Sequence, residues 1–162
     1  YFGRKIWSDN LHNIFNDENQ RDIFIKPKRT KTFNGLVVKS FRDFIGIEIS
    51  KDNEIWCSET INFLTEWRCF VRYNKLLDVR CYKGLWNQRL DIDIVNQAIR
   101  EFKSAPAAYC LDFAIDEKGK CYLVEVNDGH SLGSYGMGDV SYAKFISARW
   151  AELTQTKDYL DF

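Results

Sequence analysis

Asp112, Glu125 and Asn127 are the residues whose types and spacing most suggest chemistry. If Lys118-Gly119 is the tip of a strand hairpin, Asp112 stands directly across from Glu125. In that register Leu111, Phe113 and Ile115 are expected to face Val126, Val124 and Tyr122, an apolar set suited to a core. Asp112 and Glu125 then share the other face, with Asn127 diagonal to them. Two opposed carboxylates repel, so they need a cation, a basic partner or full solvation. Magnesium prefers oxygen ligands, keeps several waters, and is usually held by one or two carboxylates plus substrate phosphates. The same pair also suits the solvated acidic face of an ordinary hairpin. The segment after the hairpin favours a site: residues 128–138 read Asp-Gly-His-Ser-Leu-Gly-Ser-Tyr-Gly-Met-Gly, and glycines let backbone approach a ligand closely.

Positioning these residues requires strands on both sides of them. The runs 109–115 and 121–126 form the hairpin, and strands are expected at 65–73 and 76–82, turning at Asn74-Lys75. Apolar Ile92, Val95, Ala98, Ile99 and Phe102 at helical spacing, behind acidic Asp91 and Asp93, predict a helix over 91–102. A last helix is expected over 140–153. Nearer the N-terminus, Ile6, Trp7, Leu11, Ile14 and Phe15 suggest a modest helix within residues 4–20. Ile23-Phe24-Ile25-Lys26 reads as a strand stopped by Pro27. A basic tip of Lys28, Arg29 and Lys31 then leads through Asn34-Gly35 to the strand Leu36-Val37-Val38. Residues 41–45 suggest a helical turn, and Glu54-Ile55-Trp56-Cys57 another strand.

An Asp thirteen residues before a Glu-x-Asn on a strand hairpin resembles the metal site of the ATP-grasp superfamily. Upstream, Phe24-Ile25-Lys26-Pro27 resembles that family's phosphate-binding lysine, and Ser58-Glu59-Thr60-Ile61 its adenine-contacting hinge. Glu66, seven residues after Glu59, matches the ribose-binding acid. With Glu66-Trp67-Arg68-Cys69-Phe70-Val71 and the glycine-rich loop, the chain most resembles an ATP-grasp group of bacteria and phages over residues 22–150.

The resemblance implies an α+β fold of two lobes with antiparallel sheets gripping ATP between them. Residues 1–62 would form a small lobe, and 63–162 a large lobe carrying the metal site. It implies ATP and Mg2+ as cofactors, with Lys26, Lys31, Glu59, Thr60, Ile61 and Glu66 on the nucleotide and Asp112, Glu125 and Asn127 on the metal. Arg68 and Arg80 would stabilise the transferring phosphoryl group, because Cys110 stands where the family often has an arginine. Gly129, His130, Ser131 and Gly133 would form a substrate loop. The implied activity is ATP-dependent joining of a carboxylate to an amine through an acyl phosphate; the acceptor is a small molecule, a peptide or a protein. Members normally carry a preceding domain that helps to bind the acceptor, and this chain begins near where that domain would end. The expectation is that it is absent, or supplied as a partner chain. A degenerate module that binds nucleotide or a protein partner without turnover is the alternative.

Several of these residues have plainer readings. Arg68 shares a strand face with Glu66, so the two can simply pair. A two-residue and a three-residue turn at Asn74-Lys75 place Arg80 on opposite faces relative to Arg68. His130 suits an ordinary surface position, Lys26 to Lys31 a solvated basic turn, and Asp128 a turn former. Trp56, Phe63, Trp67 and Phe70 read as core rather than as a platform for RNA bases.

Composition bounds the rest. The chain is 45% hydrophobic and 15% aromatic, enough for a packed core. Twenty-three basic residues balance twenty-three acidic ones, so no global field favours nucleic acid or an anionic membrane. No apolar run approaches the roughly 18 residues that span a bilayer, and a cytoplasmic location is expected. The five cysteines are spaced as reduced core thiols rather than as zinc ligands.

Overall fold

In the computed structural model, which describes every residue except Glu18, Gln20, Arg21, Thr30 and Lys31, the chain divides into two compact units. One is Arg4–Ile61; the other joins Tyr1–Gly3 to Asn62–Phe162. Both have antiparallel sheets packed with helices, so the fold is α+β.

In the Arg4–Ile61 unit, β1 (Ile6–Asn10), β2 (Ile23–Pro27), β3 (Leu36–Val38) and β4 (Glu54–Glu59) form a sheet of order β1-β4-β2-β3. The structure corrects the helix expected within residues 4–20. Ile6–Asn10 is a strand paired to β4, Ile6 opposite Ser58, and only α1 (Leu11–Asn16) is helical. Pairing with a strand some fifty residues away overrides the local spacing, and Asn10, accepting from His12 N–H at 2.8 Å, starts the helix late. One sheet face packs Ile23, Ile25, Ile55 and Cys57 against Leu11 and Ile14 of α1 and Phe44 of the 3-10 turn Phe41–Phe44. Trp56 points the other way and is 42% exposed, so it is not core.

In the larger unit, β5 (Phe63–Arg72), β6 (Lys75–Gly84), β7 (Ala108–Asp116) and β8 (Cys121–Asp128) form a sheet of order β6-β5-β7-β8. The β5–β6 turn is Tyr73-Asn74, both with positive φ, and Lys75 already belongs to β6. Such paired positive φ values match the right-handed twist of the two strands. Helix α2 (Ile92–Glu101) is capped by Asp91, which accepts from the N–H groups of Asp93 and Ile94. It lays Val95, Ala98 and Ile99 on the face formed by Cys69, Val71, Tyr109, Leu111, Phe113 and Leu123. Helix α3 (Asp139–Thr154) lays Phe145 and Ala148 on the opposite face, against Phe70, Ala108 and Cys110. Two hydrophobic layers therefore sandwich the sheet, but α3 covers only one end of its face.

All five cysteines are free thiols. Burial pushes the Cys57 thiol up to about 12 and Cys121 to about 11, which keeps them protonated and inert. Among the described residues, no helix is long and apolar enough to cross a membrane.

Candidate functional site

The β7–β8 register places Asp112 opposite Glu125 and Leu111 opposite Val126, as the hairpin arithmetic requires. Beyond Asp112 it slips by one: Phe113 faces Leu123 and Ile115 faces Cys121, leaving Val124 as a bulge. The expected pairs Phe113 with Val124 and Ile115 with Tyr122 are thus corrected, and Val126 is 41% exposed rather than core. The slip falls past the acids, so their own juxtaposition survives it.

Neighbouring strands bring further polar residues to the same face. Arg68 on β5 stands opposite Asp112 on one side and opposite Arg80 of β6 on the other. Bulges at Leu77 and Tyr82 absorb the parity of the turn, so Arg80 shares the face of Arg68. Arg68 pairs with Asp112 rather than with Glu66. Its Nε donates to Oδ1 at 2.8 Å and an Nη to Oδ2 at 2.6 Å, a two-pronged contact in which Asp112 is 2% and Arg68 8% exposed. Asn127 Nδ2 reaches the same Oδ2 at 3.3 Å. Glu66 instead accepts from Tyr82 Oη at 2.9 Å and from the Lys83 ammonium, and Arg80 is held by Asp78 at 2.6 Å.

Burial raises the Asp112 carboxyl above the ordinary carboxylate range; the Arg68 hydrogen bonds oppose this, and the charges of Glu125 and Glu66 add to it. The bonds to Asp112 in turn push the Arg68 guanidinium above its ordinary value. A guanidinium does not give up its proton, so its fork decides the pair as an ion pair.

The sequence reading missed a pair of aromatic rings around this cation. Tyr82 and Tyr135 stack with centroids 5.1 Å apart and planes 19° apart. The guanidinium carbon lies 4.9 Å from the Tyr135 ring and 5.7 Å from that of Tyr82. Tyr82 shares the parity of Arg80 and was findable by strand period, whereas Tyr135 reaches the site only because the loop folds back.

That loop is pinned at both ends. Gly129 N–H donates to the Ala108 carbonyl at 3.1 Å, and any Cβ there would sit 2.5 Å from that oxygen, so only glycine fits. Met137 is buried beside Phe145. Asp128 is bound by Arg149 of α3, whose hydrogen bonds, aided by those of His130, hold its carboxyl down at about 2. His130 leans on Asp128 at 3.2 Å and is otherwise exposed, as are Ser131 and Gly133.

In the Arg4–Ile61 unit, Lys26 stands on β2 opposite Trp56. The Glu59 N–H donates to the Lys5 carbonyl and its carboxylate accepts from Lys5 N–H. Ser58 Oγ donates to the Glu59 carbonyl, and Thr60 Oγ1 to the Asp22 carbonyl at 3.0 Å. Ile61 follows, partly buried. Lys31 lies outside the described residues.

Among the described residues no three His, Cys, Asp or Glu side chains gather as a metal cage. Asp112, Glu125 and Asn127 supply two carboxylates and an amide on one face. This donor set fits a magnesium ion that arrives with phosphate ligands, not one held by protein alone.

The arrangement is that of ATP-grasp proteins. N5-carboxyaminoimidazole synthetase from Staphylococcus aureus superposes with a TM-score of 0.57 at 12% identity, over 95% of this chain and 47% of that one. The ATP-grasp ligase PsnB complexed with minimal precursor gives 0.60 at 13%, over 94% and 55%. D-alanine–D-alanine ligase from Bacillus anthracis complexed with ATP gives 0.52 at 16%, over 76% and 46%. The chain spans about half the length of these solved proteins, and at such identities they speak for the fold alone. No curated protein sequence matches it. The chain belongs to an ATP-grasp domain family, clade family 2, whose model matches residues 1–145.

Proposed function

We propose that the chain is the nucleotide-binding part of an ATP-dependent ligase that joins a carboxylate to an amine through an acyl phosphate. The observation that carries this reading is the grouping of Asp112, Glu125 and Asn127 on one sheet face beside Arg68. In this reading the trio binds Mg2+ together with the phosphates of ATP, and the bound ion neutralises phosphate charge. Lys26 and the basic residues after it, Lys31 included, add positive charge to the phosphates. Glu59 already uses its N–H and C=O within its own unit, so contacts to the adenine edge fall to Thr60 and Ile61. Glu66, oriented by Tyr82 and Lys83, takes the ribose hydroxyls.

The protein's contribution to the chemistry is positional and electrostatic. The substrate carboxylate attacks the γ-phosphorus and ADP leaves. An amine then attacks the acyl carbon and inorganic phosphate departs with the bonding pair. No side-chain nucleophile takes part. Arg68, with Arg80 behind it, offsets charge on the transferring group, and Gly129, His130, Ser131 and Gly133 orient the carboxylate. PsnB is a ligase complexed with a peptide precursor and D-alanine–D-alanine ligase is named for a small molecule, so the acceptor class spans small molecules, peptides and proteins.

One observation favours a second reading, a module that binds nucleotide or a protein partner without turnover: both oxygens of Asp112 are already taken by Arg68. Calorimetric titration of ATP with and without Mg2+, on the native chain and on Glu125→Gln, tests both. Under the ligase reading Mg2+ tightens ATP binding, and the variant loses at least about tenfold of that gain, the scale of about 1.4 kcal/mol. Failure of both proteins to bind ATP, with the fold intact, sinks it.

A further inference from the structure

The ion pair between Arg68 and Asp112 carries an inference that rests on the nucleotide-site reading and deepens it. A carboxylate meant for a cation is closed here by the chain's own cation. The fork of Arg68 takes Oδ1 at 2.8 Å and Oδ2 at 2.6 Å, Asn127 adds a third donor at 3.3 Å, and Asp112 is 2% exposed. A metal ion cannot reach Asp112 while that fork stays in place.

We propose that Arg68 is a placeholder for the metal: it occupies Asp112 in the nucleotide-free protein and exchanges partners when the metal–nucleotide arrives, yielding Asp112 to the ion and turning to the phosphates.

The balance of charge explains why the exchange needs both ligands. Arg68 against Asp112 and Glu125 leaves one net negative charge on the face. Adding a doubly charged ion reverses this to one net positive charge, which is unfavourable in a site that excludes water. Phosphate oxygens restore the balance and offer the displaced guanidinium a better-charged partner than a single carboxylate. Bare metal should therefore bind poorly and the metal–nucleotide well, so the site does not scavenge free cations.

The aromatic rings make the exchange feasible. With the guanidinium carbon 4.9 Å from Tyr135 and 5.7 Å from Tyr82, the cation keeps attractive contacts after it releases Asp112. Tyr82 is fixed by its bond to Glu66, while Tyr135 sits in a loop of open glycines, with φ +47° and Gly136 beside it at +82°. One wall of the slot is fixed and the other is on a segment able to follow the arginine.

The test uses the whole chain with Mn2+ as probe, free Mn2+ being read by electron paramagnetic resonance. The native protein should bind Mn2+ alone weakly and Mn2+ with ADP well. Arg68→Gln should bind Mn2+ alone at least tenfold tighter than the native chain, and adding Asp112→Asn to it should abolish that gain. Equal affinity of the native chain and Arg68→Gln for Mn2+ alone overturns the exchange while leaving the nucleotide site standing. Absence of Mn2+ binding even with ADP overturns the nucleotide site, and the exchange with it. A measurement on the native protein guards against a misfolded variant. The Arg68 Nε–H resonance, assigned by its loss in Arg68→Lys, should be protected from exchange in the free protein and shift on saturation with Mg–ADP. An unmoved resonance at saturation overturns the proposal.

Discussion

The face of the β6-β5-β7-β8 sheet under α3 has two ends built from the same strands. At one, Phe70, Ala108 and Cys110 lie under Phe145 and Ala148. Two residues along each strand, Arg68 and Asp112 take their place beside Glu125 and Asn127. Burial does not distinguish them, since Asp112 is as hidden as many core residues. The covering does: apolar helix side chains seal the first end, whereas the second is closed by an ion pair and two tyrosine rings. The sealed end holds the fold through packing, which is hard to undo; the polar end is held by charges, which a ligand can replace.

Phe145→Ala should have the largest effect on stability, about 3–5 kcal/mol by urea denaturation, because it opens a cavity under a fully buried ring packed edge-on to Phe70 at 5.3 Å. A loss below about 1 kcal/mol would break the contrast. Next comes Arg68→Met, which strands a buried carboxylate and should cost about 3 kcal/mol; the double variant Arg68→Met with Asp112→Leu should return to within about 1 kcal/mol of the native chain. Such recovery, with metal-dependent nucleotide binding lost, would show that the pair serves the site rather than the fold.

A third prediction concerns how α3 is fastened. Burial alone would raise the Asp158 carboxyl, but hydrogen bonds from Ser147, Leu160 N–H, Tyr73 and Arg72 outweigh it and hold it at about 2, against an ordinary 3.8. A depressed native value means that the unfolded chain takes up the proton first. The stabilisation is therefore complete above about pH 4 and lost as pH falls towards about 2, a change of about 2 kcal/mol. Thermal unfolding of Asp158→Asn should lack this acid limb. The smallest effect is expected from Glu125→Gln, within about 0.5 kcal/mol in stability despite its cost to Mg2+-dependent ATP binding, because that partly exposed side chain is not packing.

Much of the larger unit was legible because its signals are local. The Lys118-Gly119 tip and strand period put Asp112 across from Glu125, and Asp91 with the spacing of Val95, Ala98 and Ile99 marked α2. The failures were non-local. Ile6–Asn10 has helical spacing but is a strand because β4 pairs with it. Arg80 could not be assigned a face until the bulges at Leu77 and Tyr82 were known, and the partner of Arg68 depended on which strand lay beside β5. Val126 looked like core by parity, yet it remains exposed.

The sequence by itself determined which residues could ligate or bind, and that the two acids share a face, because turn position and the two-residue period of a strand are properties of neighbouring peptides. Only the tertiary structure decided that Asp112 is closed by Arg68, that Tyr135 returns to cover the pair, and that α3 stops short of it. Those outcomes depend on bulges, strand order and helix placement, which are set by contacts between residues far apart in the chain.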